Sequence, residues 1–268
     1  KQLIHQQLNQ SLATQGMQIS SRDSSLSLIF GPKYTLTGAS LQLQQSNQSI
    51  YFDEITVAPK IISLLTGKIG AQVEIVQGKG ELELDFTSGS QNDVSISFDL
   101  DQIKLADFKL LDLAAGLKGD SIVNGSGSFS GNLLKTETMK GDIRLQLTQT
   151  DLPSQTLYGF NIPAIKISES KIEVQIKDGK AQVKRGLIGK KDSQDDLIAE
   201  LSGTVTLSPR WQSSSLDLKA KFWLSENIRK SFALLEALMA SAKQSDGSFA
   251  YSLTGLLTAP IPTPQSGG

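Results

Sequence analysis

Cysteine is absent from this chain of 268 residues, and its absence removes several classes of chemistry. Without thiols there is no disulfide framework, no thiolate metal site and no cysteine nucleophile. The single histidine, His5, makes a histidine-clustered zinc site or a serine–histidine–aspartate triad hard to build, and we interpret it as a solvated surface residue. The sequence therefore predicts a protein that is not an enzyme and that holds no metal and no cofactor.

Aromatic side chains and an excess of one charge are also lacking. Four tyrosines and two tryptophans are few for the aromatic platforms of a sugar-binding cleft or a single-strand nucleic-acid groove. The 26 Lys and Arg residues are balanced by 27 Asp and Glu residues, so no extended basic patch is available to bind a phosphate backbone. We therefore expect no nucleic-acid partner.

Long apolar runs are missing as well, since no stretch approaches the roughly 18 consecutive apolar residues that a membrane-spanning helix needs. The sequence begins at Lys1 without an initiator methionine, which suggests that an N-terminal membrane anchor has been removed. Residues 1–16 carry Ile4, Leu8 and Leu12 at helical spacing. This predicted helix either packs on the end of a sheet or continues the removed anchor.

What the sequence has in abundance is alternation of apolar and polar residues with period two, bounded by turn clusters of Gly, Ser, Asn and Asp. In residues 81–86, three carboxylates alternate with Leu82, Leu84 and Phe86, so one face of this strand is wet and the other is apolar. Asp178 and Gly179 predict a two-residue hairpin. Similar alternating runs occupy residues 94–100, 143–147, 172–176, 181–184, 197–207 and 216–224.

These runs predict a mostly β protein built as a long, curved antiparallel sheet, because no helix-length blocks separate the strands. One internal helix is indicated from Ser225 to about Lys243, with Phe232, Leu235 and Met239 facing the sheet. Pro260, Pro262 and Pro264 predict that the chain end forms no ladder. We accordingly expect a helix over residues 1–16, a single elongated β domain over 17–258 and a disordered tail over 259–268.

Two motifs resemble ligand-binding loops, but an ordinary strand and an ordinary loop explain them better. The glycine and serine residues of 125–131 resemble a phosphate-binding loop, yet the third glycine of the dinucleotide pattern would fall at Ser130 and no helix follows. A strand with small residues, which lets the sheet bend or another group approach, fits better. Asp192, Asp195 and Asp196 lack the spacing of a calcium loop and are interpreted as a solvated loop between strands.

The apolar face of so many strands must be covered. One helix of about 19 residues is only about 28 Å long, so the sheet closes on itself around a dry core or holds something apolar such as lipid. Both alternatives stay open on the pattern alone. The candidate residues for lining a lipid groove are those at apolar positions of the alternating runs: Leu82, Leu84, Phe86, Phe98, Leu145, Val174, Val205, Leu218 and Phe222.

Several segments resemble known families of bacterial envelope proteins. Residues 55–68, which end in Leu64-Leu65-Thr66-Gly67-Lys68, are similar to a strand and turn common in the AsmA-like family. Other segments resemble the type II secretion system protein N family in order and spacing: residues 141–145, 162–165, 203–207, 232–235 and 246–260.

The resemblance implies an AsmA-like β groove, also described as a β-taco, on the periplasmic side of the bacterial inner membrane. It also implies lipid binding or bridging, membrane attachment through the removed anchor, and partners in the type II secretion machinery or elsewhere in the envelope. The alternative is an assembly subunit of a secretion apparatus with a dry core and no lipid ligand.

Overall fold

The three-dimensional description rests on a computed structural model of the chain. The residues that it describes are 6, 9–10, 12–14, 16–29, 31–43, 48–61, 63, 66–109, 111–112, 116–157, 160–231 and 239–266.

Strands account for 67% of the described residues, and fourteen strands form one antiparallel sheet whose spatial order follows the chain. A separate two-stranded pair, β9 and β10, lies in the connection between β8 and β11. The strands are β1 (Met17–Ser27), β2 (Lys33–Leu43), β3 (Gln48–Pro59), β4 (Ile69–Gln77), β5 (Gly80–Ser88), β6 (Asp93–Lys104), β7 (Asp120–Asn132), β8 (Lys135–Leu152), β9 (Gln155–Leu157), β10 (Phe160–Ile162), β11 (Ile165–Lys177), β12 (Lys180–Ile188), β13 (Leu197–Thr206), β14 (Ser215–Leu224), β15 (Phe249–Leu256) and β16 (Ala259–Pro264).

The sheet is not closed into a barrel, because β1 and β16 are its two ends and do not pair with each other. The prediction of a mostly β protein with one long antiparallel sheet is thus confirmed. The accessible surface is 16082 Å² for a mass of 28.9 kDa, whereas a compact monomer of that mass exposes only about 11,000 Å². An open sheet accounts for the excess, since it has more surface than a closed sandwich.

The two ends of the strands carry different connections. At what we call the short-turn end lie the links from β1 to β2, β3 to β4, β5 to β6, β7 to β8, β11 to β12, β13 to β14 and β15 to β16. The long-loop end carries the remaining links, including the 15 residues between Lys104 of β6 and Asp120 of β7, and the connection between β14 and β15. The Asp178-Gly179 hairpin is confirmed at the short-turn end, with φ of 51° and 71° at its two residues, as a turn of this type requires.

The predicted disordered tail over 259–268 is wrong for residues 259–264, which form β16 and pair with β15. The N–H of Gln265 donates to the carbonyl of Ala250 at 2.9 Å, and N–H groups alternate in direction along a strand. The prolines at 260, 262 and 264 therefore fall where an N–H would point away from β15. Proline is tolerated in an edge strand at such positions, so the three residues do not prevent pairing.

The internal helix begins where the sequence predicts. α1 spans Glu226–Ser231, and the hydroxyl of Ser225 accepts a hydrogen bond from the N–H of Ile228 at 3.3 Å, which is a helix cap. Phe232 and Leu235 lie outside the described residues. Met239 is buried and packs with Ala242 and Phe249 against the sheet. A short 3₁₀ helix spans Ala240–Ala242, and Lys243 after it is extended and forms a β-bridge with Phe249.

The N-terminal segment is helical at the described residues 6, 9–10 and 12–13, and the rest of its predicted helix lies outside the described residues. It is held at the edge of the sheet, where the N–H of Ile19 in β1 donates to Oδ1 of Asn9 at 2.9 Å. Leu12 packs against the apolar cluster that includes Ile19 and Leu36. This contact fits the interpretation of a helix packed on the end of the sheet.

Candidate functional site: the apolar face of the sheet

The strand register brings the alternating runs onto one face of the sheet. Residues paired directly across neighbouring strands lie on the same face, so a row can be followed from β1 to β16. The row contains one residue from each of the fourteen strands, and none of them is charged: Leu26, Tyr34, Val57, Val73, Leu84, Phe98, Gly127, Ile143, Val174, Val183, Gly203, Leu218, Leu253 and Pro262. We call the side of the sheet that carries this row the apolar face.

All nine candidate groove residues lie on the apolar face. Leu84, Phe98, Val174 and Leu218 belong to the row itself. Leu82 and Leu145 share a parallel row toward the long-loop end, joined through Leu100 and Gly125. The remaining three occupy the same side of their strands, two residues or a multiple of two from the row: Phe86, Val205 and Phe222.

The opposite face is polar along the same path. On each strand, the residue one position closer to the short-turn end points to the opposite face, and these residues form a second continuous row. From β4 to β15 this row contains no aliphatic or aromatic side chain: Gln72, Asp85, Ser97, Ser128, Asp142, Gln175, Gln182, Thr204, Asp217 and Thr254. From β4 to β15 the sheet therefore separates an apolar side from a polar side. As expected from the sequence, Glu83 is exposed, whereas Leu82 and Leu84 on the other face are partly buried.

The candidate residues are partly buried, and three of them border a buried cluster: Leu82 and Leu145 pack against the cluster around Leu36, and Phe222 packs against the cluster around Phe249. Each of the nine is half-buried, whereas Leu36 in the main apolar cluster has no exposed surface. Half-buried aliphatic side chains in adjacent rows leave an apolar surface that water still reaches. Contact with another apolar group would remove that surface from water at about 25 cal/mol per Å².

Small residues shape the apolar face at β7. A Cβ built on Gly127 would stand 2.7 Å from two ring carbons of Phe98 and 3.1 Å from Cγ1 of Ile143. On the same strand, Gly125 leaves room for Cδ2 of Leu145. The glycine-rich segment is thus a strand, as the sequence favoured over a phosphate loop, and its glycines let neighbouring apolar side chains lie close to the backbone.

Loops cover the apolar face at the long-loop end. The connection from β6 to β7 folds back so that Phe108 packs against Phe52 of β3, with ring centroids 5.7 Å apart. Nζ of Lys109 donates to the carbonyl of Ser49 at 3.0 Å and holds this loop in place. Farther along, Phe222 stacks on Phe249 at 5.6 Å beneath the segment that carries Met239.

The acidic loop after β12 is built by its own hydrogen bonds. The carboxylate of Asp195 is buried and accepts hydrogen bonds from the N–H of Ser168 at 2.7 Å and the N–H of Lys190 at 2.8 Å. Asp196 accepts from the N–H of Lys166 at 2.9 Å and from the hydroxyl of Ser225. Asp195 is therefore a structural group and not the solvated residue that the sequence indicated. Within the described ranges, no cluster of three or more His, Cys, Asp or Glu residues could hold a metal ion.

Beside this loop, Glu169 is held as an anion. Its Oε2 lies 2.8 Å from Nζ of Lys190, its Oε1 lies 3.1 Å from Nζ of Lys171, and Gln146 donates to it as well. The lysine hydrogen bonds, Lys190 first, lower the pKa of Glu169 to about 2, and the same pair raises the pKa of Lys190. The group ties β8, β11 and the loop after β12 together.

One cavity lies on the polar side of the sheet. It has a volume of about 610 Å³ and runs along β7, where Ser126 and Ser128 are short and Asp99 and Arg144 stand on either side. Its polar lining does not suit an apolar ligand, so it is separate from the apolar face. No pattern in the sequence indicates this trough, because it depends on which strands flank β7.

In comparisons with known proteins, no family model, no curated protein and no solved structure matches the chain. The resemblance to AsmA-like proteins and to the type II secretion system protein N family stays a prediction. No helix in the described part of the chain is long and apolar enough to span a membrane.

Proposed function

We propose that this chain is a non-catalytic lipid-binding protein whose apolar face accommodates acyl chains. The observation that carries the proposal is the row of uncharged residues that crosses all fourteen strands, from Leu26 to Pro262, while its central members stay half-buried. Fourteen strands spaced about 4.8 Å apart make this face about 60 Å wide. Such a surface is long enough to hold several acyl chains or to bridge one lipid site to another.

The chemistry of the face suits acyl chains better than other ligands. It is lined by aliphatic residues and phenylalanines without charged groups in the row, so it offers contact but no directional hydrogen bonds. Burial of each CH₂ group contributes about 0.8 kcal/mol, so a chain of ordinary length gains enough from contact alone. Headgroup recognition would then fall to residues outside the row.

The alternative of an assembly subunit with a dry core requires the apolar face to be closed by protein. Buried apolar side chains form two clusters, one around Leu36 and Phe52 and one around Phe249. Five further buried apolar residues lie outside both clusters: Val94, Ile167, Ile176, Leu216 and Ile228. The half-buried rows of β5, β6, β8 and β14 lie between or beside these clusters. This distribution favours a face that is covered in part by loops and in part by a ligand.

The resemblance described above supports a cellular setting for this role. We propose that the protein lies on the periplasmic side of the bacterial inner membrane and is associated with type II secretion. The lipid-binding role itself stands on the apolar face and is tested without reference to that setting.

The test is the lipid content of the purified protein. Denaturing extraction followed by lipid mass spectrometry should recover lipid from wild type and little or none from Leu145→Asp, which puts a carboxylate on the apolar face. Ser202→Asp is the matched control, because it adds the same charge to the polar face of β13, opposite Lys219. Wild-type protein without lipid, or equal lipid in both variants, would overturn the proposal.

A further inference from the structure

The large apolar side chains that protrude into solvent are concentrated at one end of the strands. Among the described residues there are twelve such side chains, and all but Tyr51 lie at or next to the short-turn end. Leu28 is 73% exposed, Ile29 72% and Ile69 68%. The other members of this group are Leu26, Ile61, Leu133, Leu134, Trp211, Leu256, Leu257 and Ile261.

Apolar side chains in the connections are buried at one end of the strands and exposed at the other. At the long-loop end, Phe108, Ile228, Met239 and Ala242 are buried against the sheet. At the short-turn end, no apolar side chain within the described parts of the turns is fully buried. Exposed aliphatic residues on tight turns add nothing to a core, and an exposed apolar group of this extent marks an interaction site.

Positive charge is concentrated at the same end. The short-turn connections and their flanking residues, 28–33, 60–69, 88–93, 132–136, 177–180, 207–214 and 257–259, contain two carboxylates, Asp93 and Asp178. The same segments contain seven cationic residues: Lys33, Lys60, Lys68, Lys135, Lys177, Lys180 and Arg210.

Most of these cations are available to a partner. Lys60 pairs with Asp85, and no other of the seven forms an ion pair with a described residue. Six of the seven are exposed. Counted in the same way with one flanking residue on each side, the connections at the long-loop end are balanced, with nine cationic and nine acidic residues, in a chain whose formal net charge is −1.

We propose that the short-turn end docks on the surface of a lipid bilayer that contains anionic lipids. Aliphatic and tryptophan side chains on the turns enter the interfacial layer, and the surrounding lysines contact anionic headgroups. The apolar residues are spread over separate turns along a sheet about 60 Å wide. A fluid surface accommodates such separated tips, whereas a protein partner needs a contiguous, closely fitting patch.

This docking rests on the turns and not on the apolar face, so it holds or fails independently of the proposed function. Where both hold, the strands stand with their short turns on the membrane and the loop-covered end away from it. The less covered end of the apolar face then lies next to the source of lipid.

Co-flotation of the full chain with vesicles tests the docking. Wild type should bind vesicles of phosphatidylcholine with 30% phosphatidylglycerol at least tenfold more tightly than vesicles of phosphatidylcholine alone, and 0.5 M NaCl should weaken binding. The triple variant Leu28→Ser, Ile29→Ser, Leu134→Ser should lose at least tenfold in affinity and keep its thermal midpoint, since these side chains are exposed. Tyr51→Ser, which alters an exposed apolar residue away from the short-turn end, should bind like wild type.

Fluorescence gives a second readout of insertion. In a Trp223→Phe background the only tryptophan is Trp211 on the turn between β13 and β14, and its emission should shift to the blue when anionic vesicles are added. Unchanged emission together with equal binding of the triple variant would overturn the proposal. So would a concentration-dependent dimer that the triple variant abolishes while vesicle binding persists, because the turns would then contact a second copy. Leu145→Asp should bind vesicles normally, which separates this result from the test of lipid content.

Discussion

The ring of Phe98 in β6 lies over Gly127 in β7, so closely that a Cβ at position 127 would come within 2.7 Å of two ring carbons. The two residues are direct cross-strand partners on the apolar face. Glycine is required here by the ring and not by its own backbone, because the position is ordinary extended strand. The contact adds side-chain packing to the backbone ladder that joins β6 and β7.

Gly127→Ala should therefore destabilise the protein by about 1–3 kcal/mol, the usual cost of overpacking, although alanine is otherwise favoured over glycine in a strand. Urea unfolding measures the change. Phe98→Leu combined with Gly127→Ala should recover part of the loss, since the smaller side chain leaves room for the new methyl group. Ser126→Ala, on the polar face of the same strand, should stay within about 0.5 kcal/mol of wild type. An equally large effect of Ser126→Ala would show that the ring contact is not the cause.

Two substitutions to aspartate test whether the apolar face of the sheet is a dry core or is open to water. Leu36→Asp puts a carboxylate where the side chain has no exposed surface, at a cost of several kcal/mol that should prevent folding. Leu145→Asp, at a half-buried position, should fold with a modestly lowered melting temperature. Circular dichroism and thermal melts compare the two variants with Ser202→Asp. If Leu145→Asp unfolds as completely as Leu36→Asp, the apolar face is a dry core.

Glu169 makes part of the stability depend on pH. Its pKa is lowered from 4.5 to about 2 in the folded protein, chiefly by the hydrogen bond from Lys190. Its contribution is present above the unfolded pKa and is lost as the pH falls from about 4.5 through about 2, because the unfolded state then binds the proton more readily. Glu169→Gln should lower the urea midpoint at pH 7, and the gap to wild type should shrink as the pH approaches 2. A gap of constant size at both pH values would contradict this role of the carboxylate.

The prolines of β16 are expected to protect an open edge of the sheet. Replacing Pro260, Pro262 and Pro264 by threonine would restore three N–H groups that point away from β15, and unpaired donors on an edge strand promote pairing with another chain. We expect a larger species whose share grows with protein concentration in size-exclusion chromatography. Ala259→Thr, which adds a β-branched residue but no N–H donor, should elute like wild type. Identical elution of the triple variant and wild type would show that the prolines do not guard this edge.

Local patterns correctly predicted the strands from β5 to β8 and from β11 to β14. The alternation at residues 81–86 became β5 with Leu82 and Leu84 on the apolar face, because a pleated strand turns successive side chains to opposite sides. Asp178 and Gly179 formed their hairpin because both adopt positive φ. The C-terminal prolines misled the prediction, since their effect depends on whether each missing N–H faces a neighbour.

The alternation of apolar and polar residues did not predict a change in the buried positions of β2 and β3. In β2 the buried positions change from Tyr34 and Leu36 to Ala39, and Gly38 between them has φ of 60°. In β3 they change from Ile55 to Phe52, on either side of Asp53, whose N–H is bound by Gln77. These irregularities keep apolar side chains on one face although the simple alternation breaks.

The sequence by itself determined the strands, their two unlike faces and the antiparallel class, because these depend on the order of apolar and polar residues within a few positions. Only the tertiary structure decided that Leu84, Phe98, Val174 and Leu218 share one row, since that depends on the register between strands. It also decided that Leu28, Leu134 and Trp211 gather at one end. Residues far apart in the chain meet there only when every strand has its direction and length.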